Sequence, residues 1–83
     1  MKIYRTQRGF ARADFFDANK QSCSIQDSSV ATDDMLWLGC NSGEHVHGLC
    51  LARMHLTRKQ AAALVPLLTR FADTGTIAAP GDK

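Results

Sequence analysis

The chain has no long apolar run. Stretches such as Met35-Leu36-Trp37-Leu38 fall far short of the ~20 residues that a helix needs to cross a bilayer. The opening Met1-Lys2-Ile3-Tyr4-Arg5 has no hydrophobic segment of the secretory kind, so a cytoplasmic protein is expected. Cysteine is sparse and odd in number, at three. Without a secretory signal these residues read as reduced thiols, metal ligands or core fillers rather than a disulfide framework. Charge of one sign is also lacking. The formal net charge is +2 and the pI about 8.6, below the value above 9 that marks an electrostatic footprint for nucleic acid. Gly39, Gly43 and Gly48 lack the spacing, and the following Lys-Ser/Thr, of a phosphate-binding loop.

What is present suits one small domain. The 83 residues are 45% hydrophobic and 22% charged, which is ordinary for a globular chain with a limited core. Thr57 followed by Gln60 is a capping-box pattern that starts a helix over about residues 58 to 73. Ala61, Leu64, Val65, Leu68, Phe71 and Ala72 form its apolar stripe, and Gly75 suits a left-handed C-terminal cap. Pro66 predicts a kink within it.

Upstream, the pattern is that of strands. Residues 1–7 read as a leading strand or arm. Residues 9–16 read as a strand with Ala11, Ala13 and Phe15 on one face and Phe10, Arg12, Asp14 and Phe16 on the other. Asp17-Ala18-Asn19-Lys20 is a turn, and Ser22 to Gln26 alternates with Cys23 and Ile25 inward, which completes a hairpin. Met35 to Cys40 predicts a central, covered strand with Trp37 as the largest core residue. Asn41 to Gly48 reads as a loop. Leu49 to His55 then reads as a strand with Cys50, Ala52 and Met54 toward the core, completing a second hairpin. The predicted fold is therefore α+β: an antiparallel sheet of three to four strands, built from two hairpins, with one C-terminal amphipathic helix packed on one face. Residues 1–77 form the domain and 78–83 a frayed tail.

The strings Arg8-Gly9-Phe10, Cys23-Ser24-Ile25-Gln26-Asp27-Ser28-Ser29, Ala31-Thr32, Trp37-Leu38-Gly39 and Arg53-Met54-His55-Leu56-Thr57-Arg58 resemble small uncharacterised proteins encoded by bacteriophages and prophages of proteobacteria. Pro66, Arg70-Phe71 and Asp73-Thr74-Gly75 extend the likeness over residues 8 to 77. The resemblance implies a phage or prophage origin. By analogy with other small phage proteins, including anti-CRISPR proteins, it implies binding and blocking of host machinery in the bacterial cytoplasm.

Three chemistries are open to the polar residues. Cys40, His45, His47 and Cys50 offer two thiols and two imidazoles, enough for tetrahedral zinc, at a spacing that matches no standard finger. The bland alternative is a polar loop flanked by two small hydrophobic thiols. Cys23 with His55 would make a nucleophilic pair only if the sheet brought them together. Arg5, Arg8 and Arg12 near Tyr4, Phe10 and Phe15 could bind single strands. Carboxylates cluster only at 27–34, a solvated turn. Arg53, His55 and Arg58, with Arg12 and Gln26 on the outward faces of the first hairpin, are the expected partner-contact residues. The chain reads as a non-enzymatic protein-binding module whose partner is a host or phage protein. The alternative is a nucleic-acid-binding or zinc-stabilised accessory protein. A half-covered sheet also invites pairing with a second copy.

Overall fold

Two-residue alternation makes the strands, and one turn design joins the first three. The computed structural model describes residues 1–28, 33–41, 45–46, 49–50 and 53–79, with the backbone alone at 45–46 and 49–50. Strands β1 (Tyr4–Arg5), β2 (Ala11–Phe16), β3 (Ser22–Asp27) and β4 (Leu36–Cys40) form an antiparallel sheet in the order β1-β2-β3-β4. A separate ribbon pairs β5 (His45–Val46) with β6 (Leu49–Cys50), so the predicted 41–48 loop contains a short strand. Helix α1 (Arg58–Thr74) follows.

The β1–β2 and β2–β3 turns are built alike. The Thr6 N–H donates to the Phe10 carbonyl at 2.8 Å, and the Gly9 N–H to the Thr6 carbonyl at 2.8 Å. In the second turn the Asp17 N–H donates to the Gln21 carbonyl and the Lys20 N–H to the Asp17 carbonyl, both at 3.1 Å. Each loop ends on a left-handed residue, Gly9 (φ 88) and Lys20 (φ 62). This is the three-residue hairpin loop, in which a left-handed third residue lets the strands keep their twist. Left-handed geometry in the second turn thus falls on Lys20 rather than on Asp17 or Asn19.

The inner face of the sheet carries Ala11, Ala13, Cys23 and Ile25, all fully buried, as their alternation predicts. Leu64 and Leu67 of α1 pack onto the cluster formed by Ala11, Ala13 and Ile25, with Ile77 and Ala78. Ile3, Phe15, Leu36, Leu56 and Phe71 close the margins. The helix starts on its capping box, with Thr57 Oγ1 accepting from the Gln60 N–H at 3.1 Å and Gln60 Oε1 accepting from the Thr57 N–H at 2.8 Å. It ends on Gly75 (φ 83), whose N–H donates to the Phe71 carbonyl at 2.8 Å.

Several expectations are corrected. β4 is an edge strand, and Trp37 is 57% exposed rather than central to the core. Residues 53–55 do not continue a strand against β4, but lie against the β2–β3 turn. Within the helix the buried stripe is rotated. Leu64 and Leu67 are buried, whereas Val65, Leu68, Ala61 and Ala72 face outward. As expected, Pro66 does not split the helix in two, and the carbonyl of Ala62, which Pro66 leaves without its helical donor, belongs to an exposed residue. Ala78 is buried rather than frayed. The Asp27 carboxylate explains this: it accepts the Ile77 N–H at 3.0 Å and the Thr76 hydroxyl, while the Arg70 guanidinium donates to the Ile77 carbonyl at 2.7 Å. Asp27 is therefore a clamp on the chain's end and not part of a solvated turn. Ala79 is half-buried, and residues 80–83 of the predicted tail lie outside the described residues.

Candidate functional site

Because the helix covers one face of the sheet, the other presents the alternate residues of every strand. The registers Tyr4↔Arg12, Arg12↔Gln26 and Gln26↔Trp37 place one residue from each of the four strands in a single row. The next rows hold Asp14, Ser24 and Gly39, then Phe16, Ser22 and Asn41. Tyr4, Phe16 and Trp37 are exposed, so this face carries three large aromatic side chains among polar ones. A shallow cavity of about 150 Å³, lined by Ser28, Met35, Leu36 and Trp37, lies at its β4 margin.

Hydrogen bonds fix the centre of the face. Arg12 Nε contacts Asp14 Oδ1 at 2.9 Å, and an Arg12 terminal nitrogen reaches Gln26 Oε1 at 3.4 Å. The Tyr4 hydroxyl donates to the other Asp14 oxygen. That bond is the main reason the Asp14 carboxyl is held below its ordinary range; Arg12 adds to the effect and burial opposes it. The same bond raises the Tyr4 pKa, because the hydroxyl proton is shared with a carboxylate. Lower on the face, Ser24 donates to Asn41 Oδ1 at 2.6 Å, and Asn41 Nδ2 donates to the Ser22 hydroxyl at 2.9 Å. The polar groups are thus held in position by one another, and the charges of Arg12 and Asp14 compensate each other.

The predicted contact residues fall into two groups. Arg12 and Gln26 meet at the middle of the open face. Arg53, His55 and Arg58 are exposed at the other end of β2, beside the β2–β3 turn. Asp17 organises that end. It is 3% exposed, with Oδ1 accepting from the Asn19 and Gln21 N–H groups at 2.9 and 2.8 Å. Its Oδ2 accepts from Gln21 Nε2 at 2.8 Å and from the His55 N–H at 2.9 Å. Burial pushes the Asp17 pKa up, but these bonds together outweigh it and the net shift is downward. The Ala18 N–H donates to the His55 carbonyl at 2.6 Å, and Gln21 Nε2 also reaches the Arg53 carbonyl at 3.1 Å. The main chain around Arg53 and His55 thus serves as scaffold, and Gln60 Nε2, donating to the Phe16 carbonyl at 2.8 Å, anchors the helix start beside it.

Sequence reasoning noticed the turn but missed that Asp17 is its buried centre. Aspartate two residues before Asn19 and four before Gln21 was the available signal, since a short carboxylate there can accept both following amides. It also missed that Trp37 is a surface residue and that Tyr4 and Phe16 share its face. Each is apolar enough for a core, and no local pattern reports which strand ends a sheet.

Cys23 is buried on β3, and its thiol is pushed up to about 11 by burial, reinforced by the adjacent Cys40 sulfur. A buried thiol that resists ionisation is a poor nucleophile. The His55 ring is exposed, with Nδ1 3.4 Å from Asn19 Nδ2, while the Cys23 thiol contacts the Gln21 carbonyl and the Cys40 sulfur. Of the predicted zinc set, Cys40 lies on β4 opposite Cys23, and His45 and Cys50 are backbone partners in the ribbon. His47 and the side chains of His45 and Cys50 lie outside the described residues. Among the described residues, donor atoms of Asp17, Cys23 and Cys40 lie within 4.8 Å of one another. The Asp17 oxygens there already accept four hydrogen bonds. No helix among the described residues is long and apolar enough to cross a membrane.

Comparison with protein-family models, with curated proteins and with solved structures found no match to this chain.

Proposed function

We propose that the protein is a non-enzymatic protein-binding module whose contact surface is the open face of the sheet. The supporting observation is the Tyr4–Arg12–Gln26–Trp37 row. A domain this small has little apolar material to spare, yet its single tryptophan is exposed. Tryptophan, tyrosine and arginine are the residue types that dominate interface energetics, because each offers a large, semi-rigid surface with a polar handle. Here they stand on a hydrogen-bonded sheet, so little ordering is required on binding. The resemblance to phage and prophage proteins makes a bacterial host protein the partner, with occupation of its surface as the mode of action.

The same aromatics favour a second reading, a single-strand nucleic-acid platform, because bases stack on exposed rings. Two observations rank it lower. Asp14 stands at the centre of the face and neutralises Arg12. Tyr4 and Trp37 lie on opposite edge strands, roughly 14 Å apart at three strand spacings.

Affinity capture from a bacterial lysate with wild type, Trp37→Ala and Arg53→Ala baits tests the proposal. One stoichiometric host protein should be retained by wild type and Arg53→Ala and lost with Trp37→Ala. Equal retention by all three baits would refute the assignment of the face. Trp37 fluorescence tests the rival: quenching by single-stranded oligonucleotides that weakens steeply with salt would establish nucleic acid instead.

A further inference from the structure

The two sulfurs beneath the open face form a second feature, independent of what that face binds. Cys23 and Cys40 are direct cross-strand partners on β3 and β4, with their sulfurs 3.6 Å apart. The ladder on both sides fixes the kind of pair. The Asn41 N–H donates to the Ser22 carbonyl at 2.8 Å, and the Ser28 N–H donates to the Met35 carbonyl at 2.9 Å. Hydrogen-bonded pairs therefore fall on the even residues of β3, and Cys23–Cys40 is a non-hydrogen-bonded pair. In such pairs the Cα atoms approach to ~4.5 Å and the side chains lie closest. That separation falls within the range a disulfide spans, ~4.4 to 6.8 Å between Cα atoms. Joining the sulfurs therefore needs side-chain rotation and no change of register. Among the described residues the further donor beside the two sulfurs is Asp17, which is saturated by hydrogen bonds and leaves two thiols there against the three or four protein ligands usual for zinc.

We infer that Cys23 and Cys40 are a reversible thiol–disulfide pair, oxidised by a low-molecular-weight disulfide such as oxidised glutathione, and that the bond clamps the Trp37-bearing edge strand to β3. Cys40 is half-buried and Cys23 fully buried, so Cys40 reacts first. Its thiolate displaces one glutathione thiolate and forms a mixed disulfide at Cys40. The Cys23 thiolate then attacks the Cys40 sulfur and expels the second glutathione. Two thiols and one glutathione disulfide become one protein disulfide and two glutathione thiols, so protons and electrons balance. The high pKa of Cys23 leaves little of it as thiolate, which makes the second step slow.

The test uses the full chain, as wild type and as Cys50→Ser, in a graded series of glutathione redox buffers. Free thiols are then alkylated and the chain cleaved at methionine, which separates Cys23 on residues 2–35 from Cys40 on residues 36–54. In both proteins the two fragments should stay joined until reductant is added, with the loss of two hydrogen masses. The melting temperature of the oxidised protein should rise by several degrees, because the bond closes the chain between residues 23 and 40. Cys40→Ser should abolish both the link and the rise. Separate fragments in the most oxidising buffer would overturn the inference. So would a persistent glutathione adduct on Cys40, a Cys40–Cys50 link in wild type, or a link that lowers the melting temperature.

Discussion

Gly75→Ala probes the junction on which the small core depends. Gly75 ends α1 at φ 83 and turns the chain so that Thr76 and Ile77 reach Asp27 and Ile77 enters the core fully buried. Left-handed geometry costs a residue with a Cβ ~1 to 2 kcal/mol, of which ~0.5 to 1 is regained because glycine loses more freedom on folding. The added Cβ would also lie 2.9 Å from Asp34 Cγ, and closer still to its Oδ2. Asp34 is exposed and can swing aside, at a cost of order 0.5 to 1.5 kcal/mol for a displaced rotamer. The expected destabilisation is therefore about 2 kcal/mol, or roughly 8 to 16 °C in melting temperature for a domain of this size. Thermal and urea unfolding followed by circular dichroism measure it. Asp34→Ala in the Gly75→Ala background should return only the steric share and leave the backbone share. Full recovery would show that crowding, not φ, sets the need for glycine. A loss under ~0.5 kcal/mol would show that the cap does not govern the docking of Ile77.

Trp37→Ala should cost under ~1 kcal/mol in urea unfolding, against the ~3 to 5 kcal/mol of a buried aromatic. A core-sized loss would contradict the exposed edge position. Asp17 and Asp14 are held below the ordinary aspartate value of 3.8 in the folded chain, so the unfolded chain binds protons first as pH falls. Their stabilisation is present above that value and drains away below it. Stability curves for Asp17→Asn across acid pH should accordingly be flatter than wild type, and an unchanged slope would refute Asp17's part. Lys20→Gly should stabilise by up to ~1 kcal/mol, because Lys20 holds the left-handed place that Gly9 fills in the sister turn. A loss of stability in calorimetry would count against the shared turn design.

The features legible along the chain are those whose causes lie within a few residues. Thr57 and Gln60 bond each other at 2.8 and 3.1 Å, and Gly75 caps over Phe71 four positions back, so each signal and its structural partner share one turn. The inward pointing of Cys23 and Ile25 follows from the alternation of a pleated strand and holds whichever neighbours it finds. Half of the open face was visible in this way, since Arg12 and Gln26 were outward on a hairpin whose register its turn defines.

Three features turn on contacts between segments far apart in sequence. Residues 35–38 have the composition of a buried strand, but burial needs a second neighbour, and the backbone of 53–55 is taken by the β2–β3 turn through Asp17 and Ala18. Trp37 therefore stands at an edge and joins Tyr4 in one row. On the helix the apolar arc is wider than the sheet can cover, so packing against Ala11, Ala13 and Ile77 selects Leu64 and Leu67 and leaves Val65 and Leu68 outside. Ala78 is drawn inward because Asp27, 51 positions away, holds the preceding residues. Local chemistry sets how a segment is shaped and which way its side chains alternate. Burial is a property of the whole packed chain, and it is burial that separates the core of this protein from the surface it presents.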